Sequence, residues 1–206
     1  MDNKHNDRRI FDLAMHTWLR YALVFLKWLL LAAVIGMALG FISTAFHYSV
    51  DFAQELRLAY PWFLCLLPVG GLIIVFMYRA CGVKDDRGAN AVLEATINGE
   101  PVKKRVAPLI FIGTVLTHLF GGSAGREGAA LQLGGSIAGL FSGVFHIKPG
   151  DGRVLTICGM SAAFSALFGT PITAAVFAVS VASAGAVQYA ALFPSVVSSF
   201  AGFLVS

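Results

Sequence analysis

The apolar run from Tyr21 to Val50 is longer than the stretch of about 20 helical residues that crosses a bilayer core, while several of the later apolar runs fall short of it. Inside a bilayer the backbone polar groups must be satisfied within the protein, so such runs form helices. Short segments broken by Gly or Pro point to discontinuous helices whose ends meet near the midplane and form an ion site. The fold class expected is therefore all-α, a polytopic membrane protein with discontinuous, tilted helices.

Composition agrees. Of 206 residues, 57% are hydrophobic and 13% charged, against about 25% charged in soluble domains, and the mean hydropathy is +0.76. The net charge of +4 comes from short juxtamembrane clusters without interleaved aromatics, which argues against nucleic acid as a partner. Cys65, Cys81 and Cys158 lie far apart, with no CxxC pair and no His at ligand spacing, and read as packing residues. No metal or cofactor is expected. Nor is an enzyme, since no nucleophile and base pair or phosphate-binding signature accompanies the candidate acid described below.

Residues 1–19 begin with Lys4, Arg8 and Arg9 and turn amphipathic through Ile10, Phe11, Leu13, Ala14 and Trp18, as expected of a helix on the cytoplasmic surface. Residues 20–206 are expected to form the membrane domain. Its first span, Tyr21 to Val50, is too long for a cleaved signal, and Lys27 reads as a snorkelling anchor. Tyr60 to Tyr78 is a second span, softened by Pro68 and Gly70-Gly71. The basic stretch Arg79 to Arg105 belongs on the cytoplasmic side by the positive-inside rule, and within it Ala89 to Ile97 suits a short helix dipping toward the membrane. Five apolar segments follow: Ala107 to Phe120, Ala129 to Phe145, Val154 to Phe168, Ile172 to Val181 and Tyr189 to Val205. Pro171, after Gly169-Thr170, marks a break and suits the first turn of the next helix. The expected location is the cell (inner) membrane, crossed several times.

The chemistry concentrates in Leu116 to Gly128, where Arg126 and Glu127 sit among Gly121, Gly122, Gly125 and Gly128 in a very apolar region. An ionised side chain at mid-bilayer costs about 2.5–3.5 kcal/mol on insertion scales, so such residues persist where they face a partner or a watery path. Glycine lets backbone amides approach an ion, and a helix starting after Gly125 would aim its positive end at it. Glu127 is the leading candidate to couple an anion to a proton: charged it can occupy an anion site, protonated it can leave. The plain alternative is that Glu127 only neutralises Arg126, although adjacent helical residues do not face one another.

Arg126 has two readings, an internal tie to a carboxylate such as Glu94 or to free carbonyls, and direct contact with the ion. Ser123 and Thr170 offer hydroxyls that either cap helices or meet an anion. His118 reads as a buried hydrogen-bonded residue or a proton relay, and Gln132 as a packing amide or part of the vestibule. Asn90, after Gly88-Ala89, either caps the short helix or faces the ion from the inner side. The small residues crowding Gly159 to Ala174 signify close helix packing.

These residues resemble the CLC anion channels and proton-coupled antiporters. Gly125-Arg126-Glu127-Gly128 looks like the family's GREG motif, and Phe168 to Phe177 resembles the family segment that closes one helix and opens the next. The resemblance implies that Glu127 is the external gate and that amides of Gly88, Ala89, Asn90, Gly125, Arg126, Gly128 and Ala129 hold the anion. It also implies a homodimer in a lipid bilayer. Where chloride-type members carry GSGIP, this chain has Asp86-Arg87-Gly88-Ala89-Asn90, and where they place an internal glutamate it has Ser180-Val181. That combination looks most like the fluoride/proton antiporter clade. CLC subunits contain two inverted repeats, and the resemblance covers the first, without the GxFxP element and tyrosine of the second. The expected function is transport of chloride or fluoride, with or without proton coupling. The alternative is a non-transporting truncated fragment or an assembly subunit that needs a second half.

Overall fold

The computed structural model describes residues 3–83, 87–98, 100, 102–145, 147–182 and 189–206; Lys84 and Asp86, and the side chains of Ile10 to Ala14 weighed above, lie outside the description. Among the described residues all regular structure is helical: α1 (Asn3–Ala59), a 3-10 segment (Pro61–Leu66), α2 (Leu67–Ala80), α3 (Ala89–Asn98), α4 (Val106–Leu119), α5 (Arg126–Val144), α6 (Pro149–Phe168), α7 (Pro171–Val181) and α8 (Tyr189–Val205). The expected all-α membrane fold is the observed one. Residues 3–19 and the first span lie along the single helix α1, which runs on past Val50 to Ala59.

The chain divides into two compact units, Met1–Leu31 and Ala32–Ser206. In the first, the described side chains are almost all exposed, among them Trp18, Tyr21, Leu23 and Phe25. Apolar side chains standing outward on a helix belong in hydrocarbon rather than water. Helices of 18 residues or more that are apolar enough to cross a membrane are Thr17–Ala59 and the run Pro61–Ala80, while the apolar helices α4, α7 and α8 are shorter.

The second unit is organised around α6, which packs on α5, α7 and α8. Every residue from Leu155 to Ala163 is buried. Lipid tails are as apolar as leucine, so helices in a membrane associate through close packing and hydrogen bonds rather than water exclusion. Small residues supply both. A Cβ added at Gly134 of α5 would strike the Gly159 carbonyl of α6, and one at Gly159 would strike that of Gly134. On the opposite side α8 is keyed to α6 by hydroxyls: Ser161 donates to the Ser195 carbonyl at 3.0 Å and Ser198 to the Cys158 carbonyl at 3.0 Å. Gly36 and Gly40 of α1 meet the backbone of α8 at Ser198 and Gly202.

Helix ends follow local chemistry. Gly82 and Gly121 have positive φ, 74° and 81°, and each closes its helix with a Schellman pair. For α4 these bonds are Gly121 N–H to His118 carbonyl, 3.2 Å, and Gly122 N–H to Thr117 carbonyl, 2.8 Å. The sharp stop at Gly121 leaves only Gly122 to Gly125 before α5 begins.

Replacing Gly134 with Val forces a branched side chain into the Gly159 carbonyl and should cost about 1–3 kcal/mol or more, seen as a lowered thermal unfolding midpoint in detergent. Gly71→Ala, where a Cβ would meet nothing within 4 Å, should leave that midpoint unchanged or raise it.

Candidate functional site

Two helix starts lie side by side. Gly88, with φ of 64°, turns the chain into α3, and Gly125, extended at φ −75° and ψ 133°, leads into α5. A Cβ built on Gly128 would sit 3.7 Å from the Ala89 Cβ, and one built on Gly88 would sit 3.4 Å from Gln132 Nε2. The sequence segments Gly88 to Asn90 and Gly125 to Ala129, separated by a whole helix in the chain, are thus neighbours. Asn90 is exposed inside the first turn of α3 rather than before it, so it does not cap that helix. Ala129 is buried on α5.

No side chain caps the first turn of α5, and a Cβ at Gly125 would meet open space. The first amides of an α-helix have no partner within the helix, so this start offers N–H groups and the positive dipole end to an approaching anion. Glu127 stands in that first turn. It is exposed, and among the described residues no hydrogen bond or ion pair holds its carboxylate.

Arg126 behaves differently. Its Nη2 donates to Asp51 Oδ1 at 2.7 Å, and its Nη1 lies 3.3 Å from His47 Nδ1. His47 Nε2 in turn is 3.2 Å from Asp51 Oδ2. Adjacent helical positions point about 100° apart, which is how one residue is tied to α1 while the next stands free. The carboxylate for Arg126 is Asp51 and not Glu94. Glu94 is turned to the opposite side of α3, where Arg87 Nη1 meets it at 3.0 Å.

The remaining candidates sort as follows. His118 is buried, and its Nδ1 bonds the Thr114 carbonyl one turn back, 2.8 Å. Gln132 is buried with Oε1 unpartnered. Ser123 is exposed and is not at the cap position of α5, which Gly125 holds. Thr170 occupies the cap position of α7, yet its hydroxyl makes no cap bond. A cavity of about 230 Å³ adjoins α3, lined by residues of both signs including Arg87, Glu94, Glu100 and Lys103. His47 and Asp51 are singled out by nothing in the local pattern beyond two ionisable residues at i, i+4 near the end of an apolar run. That spacing places them on one helix face.

A double-mutant cycle reads the Arg126 tie. Asp51→Ala and Arg126→Ala should each destabilise the chain, with a coupling of about 1 kcal/mol, since the pair is charge-assisted but part-exposed. The measurement is unfolding in detergent, and additive losses would remove the tie from the account.

Comparison with known proteins matches the chain to a family. Residues 70–206 match the family model described as voltage gated chloride channel. A chloride/fluoride channel protein of Pseudomonas syringae pv. tomato is 40% identical over 174 residues, 84% of this chain and 38% of that protein. An H(+)/Cl(−) exchange transporter of Klebsiella pneumoniae is 31% identical over 170 residues, 72% of this chain and 35% of that one. The crystal structure of a CLC-type fluoride/proton antiporter superposes with a TM-score of 0.81 at 33% identity, covering 88% of this chain and 46% of that one. The chain therefore spans less than half the length of these relatives. Relatives named as channels and exchangers, an all-helical membrane architecture and a matched family model lead to one assignment: the chain belongs to the voltage gated chloride channel family, the CLC proteins.

Proposed function

We propose that this chain is the anion-handling half of a CLC-type transporter of chloride or fluoride, with Glu127 as its gate and proton acceptor. One observation carries the reading: Glu127 is an exposed carboxylate, without a partner among the described residues, in the first turn of an uncapped helix whose glycine start is open. A carboxylate there competes with an anion for the same amides while charged, and protonation ends the competition. Proton and anion then exchange at one place. The anion is held by amides of Gly125, Arg126, Gly128 and Ala129 on one side and of Gly88, Ala89 and Asn90 on the other. Fluoride is favoured over chloride because the Pseudomonas syringae protein and the antiporter structure carry fluoride in their names. The protein sits in the inner membrane, works as a homodimer and has no enzymatic activity.

A second reading is that transport requires the part of the family's length beyond this chain, which spans 38% of the Pseudomonas syringae protein. The chain is then an assembly subunit or a fragment. Fluoride and chloride efflux from liposomes holding the purified chain separates the two. On the first reading efflux occurs and Glu127→Gln abolishes its proton coupling; proton-coupled efflux unchanged in that variant would rule out Glu127 as the gate. On the second, folded chain alone gives no efflux of either ion, and efflux returns when a second half is supplied.

A further inference from the structure

His47 makes two contacts that fix its state. The Arg126 guanidinium has only donors, so His47 Nδ1, 3.3 Å from Nη1, must accept. The imidazole is then neutral with its proton on Nε2, which donates to Asp51 Oδ2 at 3.2 Å. Guanidinium, carboxylate and neutral ring together carry no net charge. A second proton on the ring would put an N–H on Nδ1 facing the N–H of Arg126, two donors in opposition, and leave the cluster with an excess positive charge. Arg126 is the first residue of α5 and Glu127 the second.

We propose that His47 is a positioning residue: neutral, it holds Arg126 and with it the start of α5, and protonated, it releases that hold. The tie stands on geometry alone, while its bearing on anion handling rests on the reading of Glu127 given above. The side chains of His47 and Asp51 are 43% and 39% exposed. The groups that face His47 are few. Asp51 and the Tyr48 ring lie on its own helix, and α5 brings Arg126 followed by Glu127. The connector from Phe120 to Gly125 has no charged residue. α4, which touches α1 through Phe46 and Phe111, has His118 as its one titratable residue, already bonded to Thr114. Arg57 lies farther along α1, against Gly121.

The test is nuclear magnetic resonance of the chain in lipid nanodiscs, with labelled histidine and arginine side chains, across the histidine range of about pH 5 to 8. At the alkaline end His47 should carry its proton on Nε2. On acidification the Arg126 side-chain signal and the Gly125 and Gly128 amides should move in step with His47. In His47→Asn, whose amide accepts a hydrogen bond but cannot charge, the Arg126 signal should stay near its alkaline position; Glu127 is present in both proteins, which separates its effect. An Arg126 signal that ignores the titration of His47, or a ring protonated on Nδ1 at alkaline pH, overturns the proposal. Fluoride binding measured calorimetrically adds the functional arm. Acid should weaken it in the wild type relative to His47→Asn by roughly two- to fivefold, the worth of one part-exposed charge contact. If neither protein binds fluoride at any pH, the reading of Glu127 fails and the Arg126 signal still decides the role of His47.

Discussion

Backbone contact between α5 and α6 at Gly134 and Gly159 governs where everything else can stand. Water exclusion does little to drive helices together in lipid, so their alignment is set by how closely backbones approach. Two glycines facing each other's carbonyls allow one register, and neither helix can slide along the other without placing a side chain where only hydrogen fits. α6, buried from Leu155 to Ala163, transmits that register to α8 through the Ser161 and Ser198 hydroxyls. The depth of the α5 start, and of Arg126 and Glu127 with it, follows from this packing.

Electrostatics then divides the labour between two neighbouring residues. An unpaired guanidinium in an apolar setting would be costly, and Asp51 removes most of that cost. With Arg126 occupied by α1, Glu127 stands in the first turn of α5 with no ion pair among the described residues. Had Arg126 paired with Glu127 instead, the carboxylate would be anchored.

The connections are as constrained as the packing. Gly121 stops α4 by adopting the left-handed conformation that satisfies two carbonyls, and a short glycine-bearing turn restarts the chain as α5. Ending one helix and opening another within so few residues leaves the first N–H groups of the second without partners in their own helix. The same device recurs where Gly169, with φ of 69°, ends α6 and Pro171 opens α7.

Local chemistry made much of this legible. The span of α8 was readable from its apolar run, the breaks at Gly121 and at Gly169 to Pro171 from turn residues, and the start of α5 from the glycine before Arg126, because caps and periodicity act within a few residues. α6 begins at Pro149, earlier than its apolar run, since a proline at the first turn and Asp151 behind it open a helix before hydrophobicity does. Glu127 announced itself as a charge among glycines. The partner of Arg126 did not: Asp51 lies 75 residues away, and Glu94 was as plausible a carboxylate until α3 turned it toward Arg87. The sequence by itself determined the fold class, several of the helix ends and the charged centre, all written in near neighbours. Only the tertiary structure decided which charges meet and that His47 stands between them, because pairing across the chain depends on helix register, which distant glycine contacts impose.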